Sequence, residues 1–283
     1  MAAGEKKKDW PYWCAATAIF LLVALAVWGG FRDVPEHSCA CVLLGDSIYA
    51  EKRVSGCVTD RLSDLWNGSV FNGAMGGTSL ARSDKLRHMD EKMDLLSLAA
   101  LTKSITTKDF GVQKQIRVEI PATEYFPDVV GELQEIDFTK TELLLIGYGM
   151  NDYQNGVPAD DPKDPMNEYT YGGALRSVLS ALKKTYPEMR IILLTPTYSW
   201  YPDRQGSCEE LDFGGGTLET YVLLEQEIGA SYGVETIDLY HELYPHDSME
   251  DWSRYTRDGV HPNEDGLELI ARKIKSYLED HLR

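Results

Sequence analysis

Short continuous apolar runs alternate along the chain with longer segments in which apolar residues recur every three or four positions. Residues 40–44, 143–146, 191–194 and 234–239 are runs of the buried-strand type, and 69–75 is a further short strand that ends in the pair Gly76-Gly77. Between them the period changes to that of a helix. Val58, Leu62, Leu65 and Trp66 share one helical face, and Leu175, Val178, Leu179 and Leu182 share another within a helix predicted over 169–185. Further helices are predicted from beyond Gly77 to Leu101 and over 121–136, 218–232 and 264–282. Residues 102–120 carry no readable period, and 153–167 form a polar loop rich in Pro and Asp. No internal repeat is present. Strands that are apolar throughout, separated by amphipathic helices, predict a parallel sheet covered on both faces. In such folds sites collect at the carboxyl ends of the strands. Attention therefore falls on Gly45-Asp46-Ser47, Gly76-Gly77, Gly149-Met150-Asn151-Asp152 and the loop after Leu239.

Before the first strand the pattern differs. Residues 10–31 are 22 consecutive uncharged positions, long enough at about 1.5 Å per residue to cross a hydrocarbon core of about 30 Å. Trp10, Tyr12, Trp13 and Trp28 stand where interfacial aromatics belong, and Lys6, Lys7 and Lys8 orient the N-terminus to the cytoplasm. The division expected is a membrane anchor over 1–31, a linker over 32–39 and a folded domain over 40–283 outside the cytoplasm. A signal peptide cleaved near Ala24-Leu25-Ala26, giving a secreted protein, and a buried core helix are the competing readings.

Of the 283 residues 43% are hydrophobic and 26% charged, which excludes a disordered, collagen-like or multi-span chain. A net charge of −17 opposes binding to a phosphate backbone, so nucleic acid is not an expected partner. Cys39, Cys41, Cys57 and Cys208 fit no zinc spacing and are either small buried hydrophobes or disulfide partners. Asp160, Asp161 and Asp164 lack the spacing of a calcium loop, and neither a metal nor a cofactor is expected.

Four short patterns carry chemistry, and each has a plainer explanation. Ser47 lies at the first strand-to-helix turn, where a hydroxyl stands above the sheet; a turn glycine followed by a capping Asp or Ser has the same appearance. Asp258 and His261, three apart across Gly259, can set a carboxylate against one imidazole nitrogen and leave the other for a serine proton. The same residues also suit a turn in which Asn263 caps the last helix. Asn151 can present an amide N–H at a strand end, and Gly77 can bring a backbone N–H close to a substrate, with Gly76 as its competitor for that place. The other histidines, His37, His88, His241, His246 and His281, have no partner at a recognisable spacing.

Taken in order, Gly45-Asp46-Ser47-Ile48, Asn72 to Ser79, Gly149-Met150-Asn151-Asp152 and Asp258-Gly259-Val260-His261 resemble the four blocks of the SGNH-type hydrolases of the GDSL esterase and lipase superfamily. The resemblance covers residues 40–283, with Ile48 where the family name has Leu. It implies a three-layer α/β/α, flavodoxin-like fold and ester hydrolysis by Ser47, His261 and Asp258, with the Ser47 and Gly77 amides and the Asn151 side chain as oxyanion donors. Trp200, Tyr201 and Trp252, in an aromatic group with Tyr198 and Tyr255, are expected to offer a platform for a sugar ring. The expected substrate is an O-acyl ester, foremost an acetyl ester, on a carbohydrate or envelope glycan. A lipid esterase or lysophospholipase, an O-acyltransferase with the same triad, and an inactive glycan-binding module are the alternatives. The apolar stretch 95–101 is either an acyl-pocket lining or a helix buried on the sheet.

Overall fold

Strands that are apolar on both faces can be buried only between two layers. The computed structural model describes residues 38–50, 55–66, 70–83, 91–116, 121–246, 249 and 252–281, all within the compact unit His37–Arg283. Strands β1 (Cys41–Gly45), β2 (Val70–Asn72), β3 (Leu143–Gly147), β4 (Arg190–Leu194) and β5 (Glu235–Ile237) form one parallel sheet, ordered β2-β1-β3-β4-β5. The central pair runs in register from Cys41 opposite Leu143 to Gly45 opposite Gly147, and both strands are buried throughout.

The principal helices are α1 (Leu98–Thr107), α2 (Phe126–Glu135), α3 (Tyr171–Thr185), α4 (Leu218–Tyr232) and α5 (Glu264–His281). α1 packs on α3 and α3 on α4, while the short helix Val58–Leu62 packs on α5. The chain leaves β1 toward β2 in one direction and returns past it to β3, β4 and β5 in the other. Right-handed crossovers therefore put these two groups of helices on opposite faces of the sheet. The reversal also opens a crevice at the carboxyl ends of β1 and β3, the neighbours from which the chain diverges.

The helix expected directly after Gly77 does not form there. Asp152 accepts the Leu80 and Ala81 N–H groups at 2.8 and 2.9 Å, and the Arg82 N–H goes to the Glu168 carbonyl. These bonds take donors that a helix would use, so residues 78–83 are not helical; a single helical turn forms at Glu91–Asp94, and α1 begins at Leu98, where the Ser97 hydroxyl accepts the Ala100 N–H. Leu96, Leu98 and Leu101 are fully buried in the core, which assigns this stretch to packing. α1 runs on to Thr107 through the segment that had no readable period. In the 121–136 region only Phe126–Glu135 is α-helical. A two-residue hairpin, Trp200–Tyr201 with Gly206–Ser207, was not expected, being too short to show a period. Cys41, Cys57 and Cys208 are buried, and no disulfide occurs among the described residues. The expected anchor at 10–31, and with it Cys14, His37 and, further along, His88, lies outside the described residues. Among those described, no helix is long and apolar enough to cross a membrane.

A carboxyl group is buried between α3 and α4. Glu225, 2% exposed, accepts the Tyr171 hydroxyl at 2.7 Å. Burial raises its pKa to about 8, and the Tyr171 hydrogen bond only partly opposes that. The folded protein thus keeps a proton that the unfolded chain releases above pH 4.5, and the stability this confers is lost as pH rises through about 8. Each unmatched proton is worth about 1.4 kcal/mol per pH unit. Glu225→Gln keeps the acceptor for Tyr171 and removes the titration. Its stability relative to wild type is therefore expected to improve from pH 6 to 8, which urea unfolding at pH 6, 7 and 8 will measure. A constant difference between the two proteins would show that Glu225 is already ionised in the folded state.

Candidate active site

The turn after β1 is shaped by an aromatic ring. A Cβ on Gly147 would lie 2.2 Å from Tyr49 Cε2, and one on Gly45 would lie 2.7 Å from Cδ2, so two neighbouring glycines let the ring cross the ends of β1 and β3. The chain then turns upward at Ser47, the first residue of the helical turn Ser47–Ala50. Asp46 closes that turn by accepting the Ile48 N–H at 3.0 Å. Burial lifts the Asp46 carboxyl to about 7 against this hydrogen bond, and the nearby Asp152 carboxylate pushes it the same way.

The loop before α5 meets Ser47 from the other side. Gly259 has φ +95° and donates its N–H to Thr256 Oγ1 at 2.9 Å, and its carbonyl accepts the Trp200 N–H at 2.9 Å. A Cβ here would lie 2.2 Å from the Trp200 carbonyl oxygen, so only glycine fits between the loop and the hairpin. Asp258 Oδ1 accepts the Val260 and His261 N–H groups at 3.0 and 2.8 Å, which aims Oδ2 at His261 Nδ1, 2.7 Å away. His261 Nε2 lies 3.0 Å from Ser47 Oγ. Partial burial works against the Asp258 charge, but the His261 backbone and ring hold its carboxyl below the usual range. Asn263 also caps α5, accepting the Gly266 N–H at 3.1 Å. The capping turn and the Asp-His pair are therefore compatible uses of one loop.

The glycine turn and the end of β3 complete the rim. Asn72 binds both the Tyr49 carbonyl and the Ala74 N–H at 3.0 Å, and the Met75 N–H reaches the Gly45 carbonyl at 2.9 Å, fastening the second block to the first. Gly77 has φ +77°, a conformation that penalises a side chain, and a Cβ there would stand 3.3 Å from Met93 Cε. The Gly76 N–H donates to Tyr125 Oη at 2.8 Å, whereas the Ser47 and Gly77 N–H groups have no acceptor among the described residues. The Asn151 amide donates one N–H to the Thr78 carbonyl at 3.0 Å, which leaves a second on the same nitrogen. Asp152, fully buried, ties this helical turn to Leu80 and Ala81; burial lifts its pKa to about 6 against those two donors.

Other expectations are corrected. Trp200 is 1% exposed and Tyr201 is buried as well, packed against Tyr198, Tyr244, Tyr153 and Phe213, so neither offers an open ring face. Trp252 is half-buried. His241 does have a partner at a readable spacing: Asp238-Leu239-Tyr240-His241 repeats the Asp258 pattern, with 2.8 Å between His241 Nδ1 and Asp238 Oδ2. Its other nitrogen faces Glu219 at 3.5 Å rather than a hydroxyl. His246, which has no partner at a readable spacing, bonds Glu209 and the Tyr240 carbonyl and lies against the Tyr198 ring. Tyr125 is the site neighbour that sequence reasoning missed, since nothing local connects it to Gly76, 49 residues earlier.

A hydroxyl bonded to an imidazole that is itself bonded to a carboxylate can be deprotonated as it attacks a carbonyl carbon, and unengaged N–H donors beside it can receive the resulting oxyanion. In fold the chain is similar to many solved structures, including these two. One is a protein from Lactobacillus plantarum, at 19% identity, TM-score 0.62 and coverage of 86% of this chain and 97% of that one. The other, from Chitinophaga pinensis and described as a possible lipase, shows 16% identity, TM-score 0.55 and coverage of 85% and 97%. Among curated proteins none matches the chain by sequence. The family model of GDSL-like lipases and acylhydrolases matches residues 43–269, a span that begins in β1, ends within α5 and takes in all four blocks. On that match, the chain belongs to the GDSL-like lipase/acylhydrolase family.

Proposed function

We propose that the protein is a serine esterase that removes O-acyl groups, foremost acetyl, from a carbohydrate or envelope glycan. The observation that carries this reading is the continuous Ser47–His261–Asp258 hydrogen-bond chain, with contacts of 3.0 and 2.7 Å. Ser47 Oγ attacks the ester carbonyl carbon while His261 Nε2 takes its proton; the ester C–O bond then breaks and His261 returns the proton to the departing alcohol. Water attacks the acyl-Ser47 ester by the same route in reverse, releasing the acid and restoring the hydroxyl. The Ser47 and Gly77 N–H groups and the second Asn151 N–H hold the oxyanion.

Hydrolysis is favoured over transfer to a sugar hydroxyl by access to water. The Asp258 side chain is 54% exposed and that of His261 34%, whereas transfer needs the site kept dry. A short acyl group is supported by the burial of Leu96, Leu98 and Leu101, which are spent on the core and unavailable to a chain-length pocket. Contact with a sugar falls to the half-buried Trp252, because the Tyr255 ring is taken up by Tyr244 stacked against it and by the Arg254 guanidinium over it. The uncharged stretch 10–31 supports a tether that holds the catalytic unit outside the cytoplasm, near envelope substrates. Hydrolysis of p-nitrophenyl acetate is expected to exceed that of the octanoate by at least tenfold in kcat/KM. A preference for octanoate would move the reading to a lipid esterase, and the absence of turnover on either would favour the transferase or binding-module alternatives.

A further inference from the structure

Two adjacent glycines form part of the rim of the site, and nothing in their own chemistry holds them to one conformation. The peptide between them carries the Gly77 N–H, so its orientation decides whether that donor faces the carbonyl oxygen above Ser47. One side of the turn is closed by Thr78, whose hydroxyl donates to the Met75 carbonyl at 2.7 Å. The other side depends on a residue far along the chain. Tyr125 Oη accepts the Gly76 N–H at 2.8 Å. The phenol is held in place from below: the Tyr125 ring meets the edge of the buried Phe126 ring at 4.9 Å, and the Tyr125 carbonyl accepts the Val129 N–H at the start of α2. This contact lies beside the nucleophile, since a Cβ placed on Gly76 would be 3.5 Å from Tyr125 Oη and 3.6 Å from Ser47 Cβ.

We infer that Tyr125 is the positioning residue of the oxyanion turn: by taking up the Gly76 N–H it fixes the Met75–Gly76 peptide and so keeps the Gly77 N–H directed at the oxyanion beside Ser47. The inference rests on the serine-esterase reading. It also divides the labour of the glycine pair, with Gly76 engaged by the protein and Gly77 by the substrate. A donor that matters only once the oxyanion has formed contributes to kcat and leaves KM alone.

The test is Tyr125→Phe in the full chain, with Ser47→Ala alongside, on p-nitrophenyl acetate. The loss of one tethering hydrogen bond is expected to lower kcat by about three- to tenfold with KM unchanged. Affinity for methylboronic acid, whose tetrahedral serine adduct also places an oxygen in the hole, is expected to fall by the same factor. An unchanged kcat, or a rise in KM alone, with Ser47→Ala inactive, overturns the role of Tyr125 and leaves the esterase reading standing. Full turnover by Ser47→Ala overturns both. If the Phe variant fails to fold, 3-fluorotyrosine at position 125 makes the same comparison, because it keeps the oxygen and weakens it as an acceptor.

Discussion

Ser47→Ala is expected to lower ester turnover to background, a loss in kcat on the order of 10⁶, as when a serine hydrolase loses its nucleophile. Two features make the expectation sharp. The hydroxyl is the atom that His261 Nε2 approaches at 3.0 Å, and no other side chain or carbonyl accepts or donates to it among the described residues. Removing the hydroxyl therefore costs the fold no more than about 1 kcal/mol, the usual net worth of one hydrogen bond. The thermal midpoint should stay near that of wild type while the rate collapses. Steady-state assays on p-nitrophenyl acetate, paired with labelling by a fluorophosphonate probe, measure both sides. A variant that still turns over or still labels would remove Ser47 from the mechanism.

Asp258→Asn is expected to cost about 10⁴ in kcat, for a reason that lies in the backbone. The carboxamide can be placed either way round, and the Val260 and His261 N–H groups decide which. Both point at the Oδ1 position, at 3.0 and 2.8 Å, and both require an oxygen there. The amide NH₂ must then occupy the Oδ2 position, 2.7 Å from His261 Nδ1, and force that nitrogen to accept. The ring proton moves to Nε2, where it faces Ser47 Oγ and blocks proton removal. Kinetics together with ¹⁵N spectra of the imidazole test this account. A loss below tenfold, with the proton still on Nδ1, would show that Asp258 does not select the tautomer.

The regions legible in the sequence are those where one local rule operates. Buried parallel strands are continuous apolar runs, so β3 and β4 differ from expectation by one residue at one end and β1 by one residue at each end. α4 occupies the predicted 218–232, between the Gly-rich loop before it and Gly233, whose φ of +61° ends the helix. The four chemical blocks were found because each follows a strand or precedes a helix. What was not legible came from contacts distant in sequence. The Leu80 and Ala81 N–H groups are claimed by Asp152, more than 70 residues away, and this delays a helix that local composition allows. The aromatic residues at 198–201 read as a surface platform because composition does not record burial, and the hairpin with Gly206–Ser207 turns them inward.

The sequence by itself determined the parallel α/β class, the family and the residue types that could carry acyl chemistry, because those depend on period and spacing along one strand or turn. It contains two Asp-x-x-His segments of equal local merit, Asp238 to His241 and Asp258 to His261, and both fold into the same carboxylate–imidazole pair. Resemblance to the family's last block singles out the second of them, and the tertiary structure supplies the physical difference by bringing Ser47, 214 residues from His261, to the free nitrogen of one and Glu219 to that of the other. A dyad is a local hydrogen-bonding pattern that any such turn can make. A hydroxyl within reach of it is a property of how two strand ends pack, and no short window of sequence contains both.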